Sequence, residues 1–163
     1  MSLLLYQASI PTFVRAFTNL STILEKAADE PNAESFLTAR LAPDMHPLIN
    51  QIQLASDAAK GAAARLSGQT PPSMPDVEKT YQDLQARIAK TVEFLKSIDP
   101  AAFDGAEERG VTLKLRSFET RFTASDYLFN FALPNFFFHC TTAYAILRHS
   151  GLAIGKMDFL GKF

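Results

Sequence analysis

The chain has 163 residues, 47% of them hydrophobic and 20% charged, with a formal net charge of −1. That length predicts one domain, residues 1–163, with a sizeable core, and the near balance of acids and bases excludes the basic face of a nucleic-acid binder. Cys140 is the sole cysteine, so no internal disulfide can form, and a thiol without a partner fits a reducing, cytoplasmic compartment.

The opening MSLLLYQASIPTF is apolar but carries no basic leader, and is not read as a signal peptide. From Tyr6, apolar residues recur at Ile10, Phe13, Phe17, Leu20, Leu24 and Ala27 in steps of four and three. That is one stripe of a long amphipathic helix. Pro11 within it predicts a kink or the true start of the helix, and residues 29–32, DEPN, end it.

Residues 33–66 form a second helical region, broken near Pro43 and Pro47. Its later half repeats the same steps at Leu48, Ile52, Ala55, Ala59, Ala62 and Leu66, and the small alanines predict a closely packed neighbour. Residues 67–75, SGQTPPSMP, are a loop by composition. A third stripe runs through Val77, Tyr81, Leu84, Ile88, Val92, Leu95 and Ile98. Asp76 and Glu78 are placed in its first turn and Lys96 in its last, matching the helix dipole, before Asp99 and Pro100 close it.

The period then changes. Val111, Leu113 and Leu115 alternate with Thr112, Lys114 and Arg116; after a turn near Ser117, Thr120 and Phe122 alternate with Glu119 and Arg121. This predicts a small β-hairpin, which must lean on the helices because two strands alone are marginal.

The run from Thr123 to Gly151 is the longest apolar stretch, yet it holds His139, His149 and Cys140. Asp126, Asn130, Pro134, Asn135 and His139 interrupt it, leaving it short of the roughly 20 apolar residues that span a bilayer. Thr123 or Ser125 can cap its start, and Gly151 is placed at its C-terminal cap. Pro134 predicts a kink that frees a carbonyl around Asn130. The tail, with Leu152, Ile154, Phe159 and Leu160, is expected to pack back on the bundle. The elements add up to a mainly α fold: a four-helix bundle with a small β-hairpin between helices 3 and 4.

His139 shares a helix face with Asn135 and Thr142, and a polar strip on so apolar a helix must be bonded internally, to water or to a ligand. It reads either as a pocket-lining imidazole acting as acid or base or as a core histidine bonded to a neighbouring helix. Asp44, between Pro43 and Pro47, reads either as a carboxylate projecting into the bundle or as a helix N-cap. His46 lies beside it. A pocket between helices 2 and 4 lined by Asn135, Thr142 and His46, with His139 and Asp44 as catalytic groups, is the expected small-molecule site. No metal ligands are assigned, because Ala143 stands where a helical HxxxH pair would need its second histidine. His149 lies about 15 Å farther along the helix at 1.5 Å per residue and is read as a dipole-stabilised end residue. Cys140 points about 100° away from His139 and is read as a small buried hydrophobe. Phe136, Phe137 and Phe138 offer a face for a homodimer, since one helix cannot bury every side in a small bundle.

The stretches LLYQASIPTFVRAFTNLSTIL, RLAPDMHPL, TVEFLKSIDPAAFDG, LFNFALPNFFFHCTTAYAILRHSG and IGKMDFLGKF resemble a family known as a domain of unknown function within the DinB/YfiT-like superfamily. The resemblance spans essentially the whole chain and implies a four-helix bundle. Members of that superfamily place a histidine on the second helix and an HxxxH pair on the last around a divalent metal, and some are thiol-dependent transferases or isomerases. His139 matches the first histidine of the last-helix pair and Ala143 departs from the second. The resemblance implies a fold and a pocket rather than a reaction; taken with the residues, it leaves three readings, the first of them the expected one. One is a small-molecule-binding bundle without a cofactor, one a divalent-metal hydrolase or transferase using His139, His46 and Asp44, and one a non-catalytic homodimer.

Overall fold

In the computed structural model, residues 2–115 and 118–162 are described. Four long helical segments make the bundle: α1 (Ser2–Ala28), α3 (Leu48–Ser67), α4 (Tyr81–Lys96) and a last segment running from Ala124 to His149. Short helices α2 (Ala33–Leu37) and α5 (Ala106–Arg109) fill the connections, together with a 3-10 turn at Pro100–Phe103. Around the bundle the neighbours run α1, α4, α3, the last helix and back to α1. The fold is mainly α with a small hairpin before the last helix, as the pattern predicts.

The first helix does not start at Pro11. It is helical from Ser2 through Pro11 to Ala28; Pro11 is exposed, so its ring projects into water. Ile10, Phe13, Phe17, Leu20, Leu24 and Ala27 are all buried. Phe13 and Phe17 meet the last helix at Phe136, fully buried, whose ring lies edge-on to them at 4.8 and 5.2 Å, the favoured arrangement for aromatic quadrupoles. On α3 the whole predicted stripe from Leu48 to Leu66 is buried. Its alanines let the last helix approach closely, and α3 packs against that helix more extensively than against any other element.

The third long helix begins later than its apolar stripe suggests. Thr80 is its N-cap: Thr80 Oγ1 accepts from the Asp83 amide at 3.1 Å and Asp83 Oδ2 accepts from the Thr80 amide at 3.0 Å. This reciprocal capping box fixes the start at Tyr81 and leaves Val77 outside, two-thirds exposed. Asp76 and Glu78 turn instead to Arg87 of α4, which is buried. Arg87 Nη1 meets Glu78 Oε1 and Asp76 Oδ1 at 3.0 Å each, and Nη2 meets Asp57 Oδ1 of α3 at 2.9 Å. Nη1 also donates to the Pro75 carbonyl at 3.3 Å. A buried guanidinium needs such partners, and here they pin the whole 68–80 loop across α3 and α4. Burial pushes the Glu78 carboxyl up, but hydrogen bonds from Gln53, its own backbone and Arg87 together hold it below the usual carboxylate range.

Strands β1 (Val111–Leu115) and β2 (Phe118–Phe122) pair antiparallel with Val111 opposite Phe122 and Leu113 opposite Thr120. Val111 and Leu113 are buried, so one face leans on the helices. The turn expected near Ser117 lies outside the described residues.

Thr123, not Ser125, caps the last helix, accepting from the Asp126 amide at 3.0 Å. The segment passes from α6 (Ala124–Tyr127) through a π-helical turn (Leu128–Ala132) into α7 (Leu133–His149). The proline effect expected near Asn130 takes the form of that π turn: the Leu133 amide donates to the Leu128 carbonyl, one residue farther back than in an α-helix. At the other end Gly151 takes φ 103°. The Leu152 amide reaches the Leu147 carbonyl at 3.0 Å and the Gly151 amide the Arg148 carbonyl at 3.2 Å, a Schellman closure. Helix α8 (Lys156–Leu160) then folds back on α1. Among the described residues, no helix is long and apolar enough to cross a membrane.

Candidate functional site

The polar strip of α7 faces the N-terminal end of α3. Pro47 is the N-cap of α3 and has no side-chain donor or acceptor to offer, so the neighbouring polar groups organise around Gln51 instead. Gln51 is 1% exposed. Its Nε2 donates to the His46 carbonyl at 3.0 Å, and its Oε1 lies 2.8 Å from His139 Nδ1. The first bond orients the second. With the amide nitrogen committed to a carbonyl, only the oxygen is left for His139, so Nδ1 must carry the proton that is donated. The lone pair of the ring is then on Nε2.

His139 is half-buried, with the Phe138 ring edge-on at 5.3 Å. Burial, and next the charge of nearby His46, hold its pKa below the ordinary histidine value of 6.5, because both disfavour the imidazolium. The ring is therefore neutral at pH 7, with one tautomer selected.

The other expected site residues separate into two groups. Thr142 is buried, and its hydroxyl donates to the Phe138 carbonyl of its own helix at 2.7 Å, leaving only its lone pairs for anything else. Asn135 is half-buried, and its side chain bonds to no described residue. His46 is exposed in the loop that precedes α3, within electrostatic reach of His139. Asp44 is not the N-cap of α3. It is exposed in a turn of that same loop, and its carboxylate bonds to no described residue. The structure thus brings Gln51, His139 and the backbone of His46 into contact and leaves Asp44 at the surface. His149 is exposed at the helix end, and Phe136 is consumed by the core, so only Phe138 of the three phenylalanines is more than half exposed.

Gln51 was missed in the sequence, yet it left a signal. It stands three residues after Leu48 and four before Ala55, on the buried stripe itself, where an amide has to find partners.

A divalent metal, which the superfamily resemblance implies, asks for a converging donor set. Ala143 is fully buried and offers no donor, and His139 Nδ1 is already engaged by Gln51. Among the described residues, no group of three or more His, Cys, Asp or Glu side chains could hold a metal ion. The residues present do not make up that set.

The family model described as a domain of unknown function (DUF1993) matches residues 5–160. A crystal structure of a DinB family member protein from Shewanella denitrificans is similar to this chain at 35% identity and a TM-score of 0.91, covering 99% of this chain and 94% of that one. The chain matches none of the curated proteins.

Proposed function

The chain belongs to the DUF1993 family, DinB-like in fold, and from that premise we propose that it is a cytoplasmic small-molecule-binding bundle whose His139 accepts a proton from its ligand. One observation carries the reading: a neutral imidazole whose tautomer is set by a buried amide. General acid–base groups work best when their pKa lies near the working pH and a second group orients them. Gln51 supplies the orientation, and burial keeps the ring uncharged, with its Nε2 lone pair ready to take a proton.

The Nε2 lone pair is matched to a hydroxyl or thiol donor on the ligand. Asn135 can add one amide hydrogen bond on the same flank of α7, and Thr142 an acceptor. His46 contributes repulsion of positive charge, which keeps the imidazole basic site open. Proton transfer rests on His139 alone, and Asp44 has no part in it while it stays exposed in its turn.

The test is ring-nitrogen NMR of His139, combined with a panel of small thiols and phenols added to wild type and His139→Ala. The expected result is an Nδ1–H tautomer titrating below pH 6.5, and saturable shifts at Asn135, His139 and Thr142 with one class of compound. Those shifts disappear in a folded His139→Ala variant. An Nε2–H tautomer, or the absence of any saturable shift, would overturn the reading. About one divalent metal ion per purified chain, lost with His139, would replace it with a metal site.

A further inference from the structure

The side of α7 opposite His139 borders a cavity that the proton-accepting site does not use. Thr12, Ala16 and Ile23 of α1 face Phe137 and Cys140 of α7, and Phe159 of α8 closes one end. On a helix of 3.6 residues per turn, Phe137 and Cys140 lie about half a turn away from the Asn135, His139 and Thr142 strip. Its volume is about 340 Å³, within the roughly 300–1,000 Å³ of ordinary small-molecule pockets, and it opens to solvent on one side.

The chemistry of the lining selects what can bind. The polar groups at the rim are engaged with the tail: Arg15 Nη2 donates to the Leu160 carbonyl at 2.9 Å and the Lys162 carbonyl at 3.3 Å, and Asn19 Nδ2 donates to the Phe159 carbonyl at 3.0 Å. Burial pushes the Cys140 thiol far up, so it stays protonated and uncharged. The remaining surface is overwhelmingly apolar. Thr12 is half-buried, and its hydroxyl bonds to no described residue, which makes it a polar handle for a ligand.

We propose that this cavity binds a neutral, mainly apolar small molecule carrying one hydroxyl or carbonyl group, with α8 as its roof. A cation would lose its hydration with no anionic partner in the lining, and the one charged lining group, Arg15, already donates to the Leu160 and Lys162 carbonyls. The apolar body gains by leaving water, and Thr12 satisfies the single polar group. The roof is suited to opening. None of its own residues is fully buried, and its ties to the bundle are few and lie at the rim: Lys26 to Asp158 at 2.6 Å, the Arg15 and Asn19 hydrogen bonds to the Leu160 and Phe159 carbonyls, and the Phe159 ring against Tyr144 at 5.8 Å. Elements with so little buried area are those that open first. The inference is independent of the His139 reading.

The test is a titration of the protein with n-octanol followed by methyl NMR. Saturable shifts are expected at Leu20, Ile23 and Leu160, with Leu48 and Ile52 of α3 unmoved. Ala16→Phe places a ring in the cavity from the half-buried side of α1 and is expected to weaken octanol binding about tenfold or more, about 1.4 kcal/mol or more. Absence of a saturable shift in wild type overturns the proposal, as do shifts spread evenly over α3. So does a folded Ala16→Phe variant that binds octanol as tightly as wild type. If that variant does not fold, the wild-type titration decides alone.

Discussion

Replacing Gln51 by leucine tests how His139 is held. The side chain makes two hydrogen bonds, one to His139 Nδ1 at 2.8 Å and one to the His46 carbonyl at 3.0 Å. Each contributes about 0.5–1.5 kcal/mol net, so their joint loss costs about 1–3 kcal/mol. Two effects reduce that figure. His139 is half-buried and His46 is exposed, so water can reach both orphaned groups, and a leucine at a site 1% exposed gains apolar burial. A net loss of about 1–2 kcal/mol follows, which for a chain of this length lowers Tm by about 2–8 °C. Thermal melting by circular dichroism reads the stability, and ring-nitrogen NMR reads the second consequence. Without the Gln51 oxygen the tautomer preference should relax toward a mixture. The pKa should rise if the relaxed ring gains water. A Gln51→Leu variant as stable as wild type, with His139 still wholly Nδ1–H, would refute the idea that this amide positions the ring. A cycle with His139→Ala then isolates the pair, since coupled residues deviate from additivity.

Arg87→Met should destabilise by about 3–5 kcal/mol, because it strips the buried partner from Glu78, whose side chain is 9% exposed; adding Glu78→Gln should recover part of the loss in urea unfolding. Phe136→Ala empties the contact with Phe13 and Phe17 and should cost about 3–5 kcal/mol, read from the same unfolding curves. Stability should also fall with pH. The folded pKa of His139 is below the unfolded 6.5, so its contribution is whole above pH 6.5. It is lost as pH drops through that value toward the folded pKa, since the unfolded chain binds the proton first. The fall in this window should be shallower in His139→Ala. Below it, the depressed carboxyls of Glu78, Asp83 and Asp158 add the same sign of change at more acid pH. A fall in stability of equal steepness with and without His139 would remove that assignment.

What the sequence determined by itself was the set of helices and their buried faces. The steps of three and four through Phe13, Phe17, Leu48, Ile52, Leu84 and Leu95 are a local consequence of helix geometry, and each of those residues is buried. The alternation at Val111 and Leu113 was equally local. Boundaries were legible where the caps were short-range, as at Thr123, and misread where two local signals competed. The stripe from Val77 argued for an early start to α4, whereas the Thr80–Asp83 box placed it at Tyr81.

The partners of polar groups far apart in the chain became visible only once the helices were packed. Arg87 draws Asp57, Asp76 and Glu78 to itself, which takes two acids away from the helix start that composition assigned them. His139 could be recognised as a polar residue on an apolar helix, but its meeting with Gln51, 88 residues earlier, depends on how α3 and α7 lie against each other. Asp44, in the same loop as His46, stays exposed and does not join them. Helix periodicity says which face is buried; the hydrogen bond that gives a buried face its chemistry is made only when two faces meet.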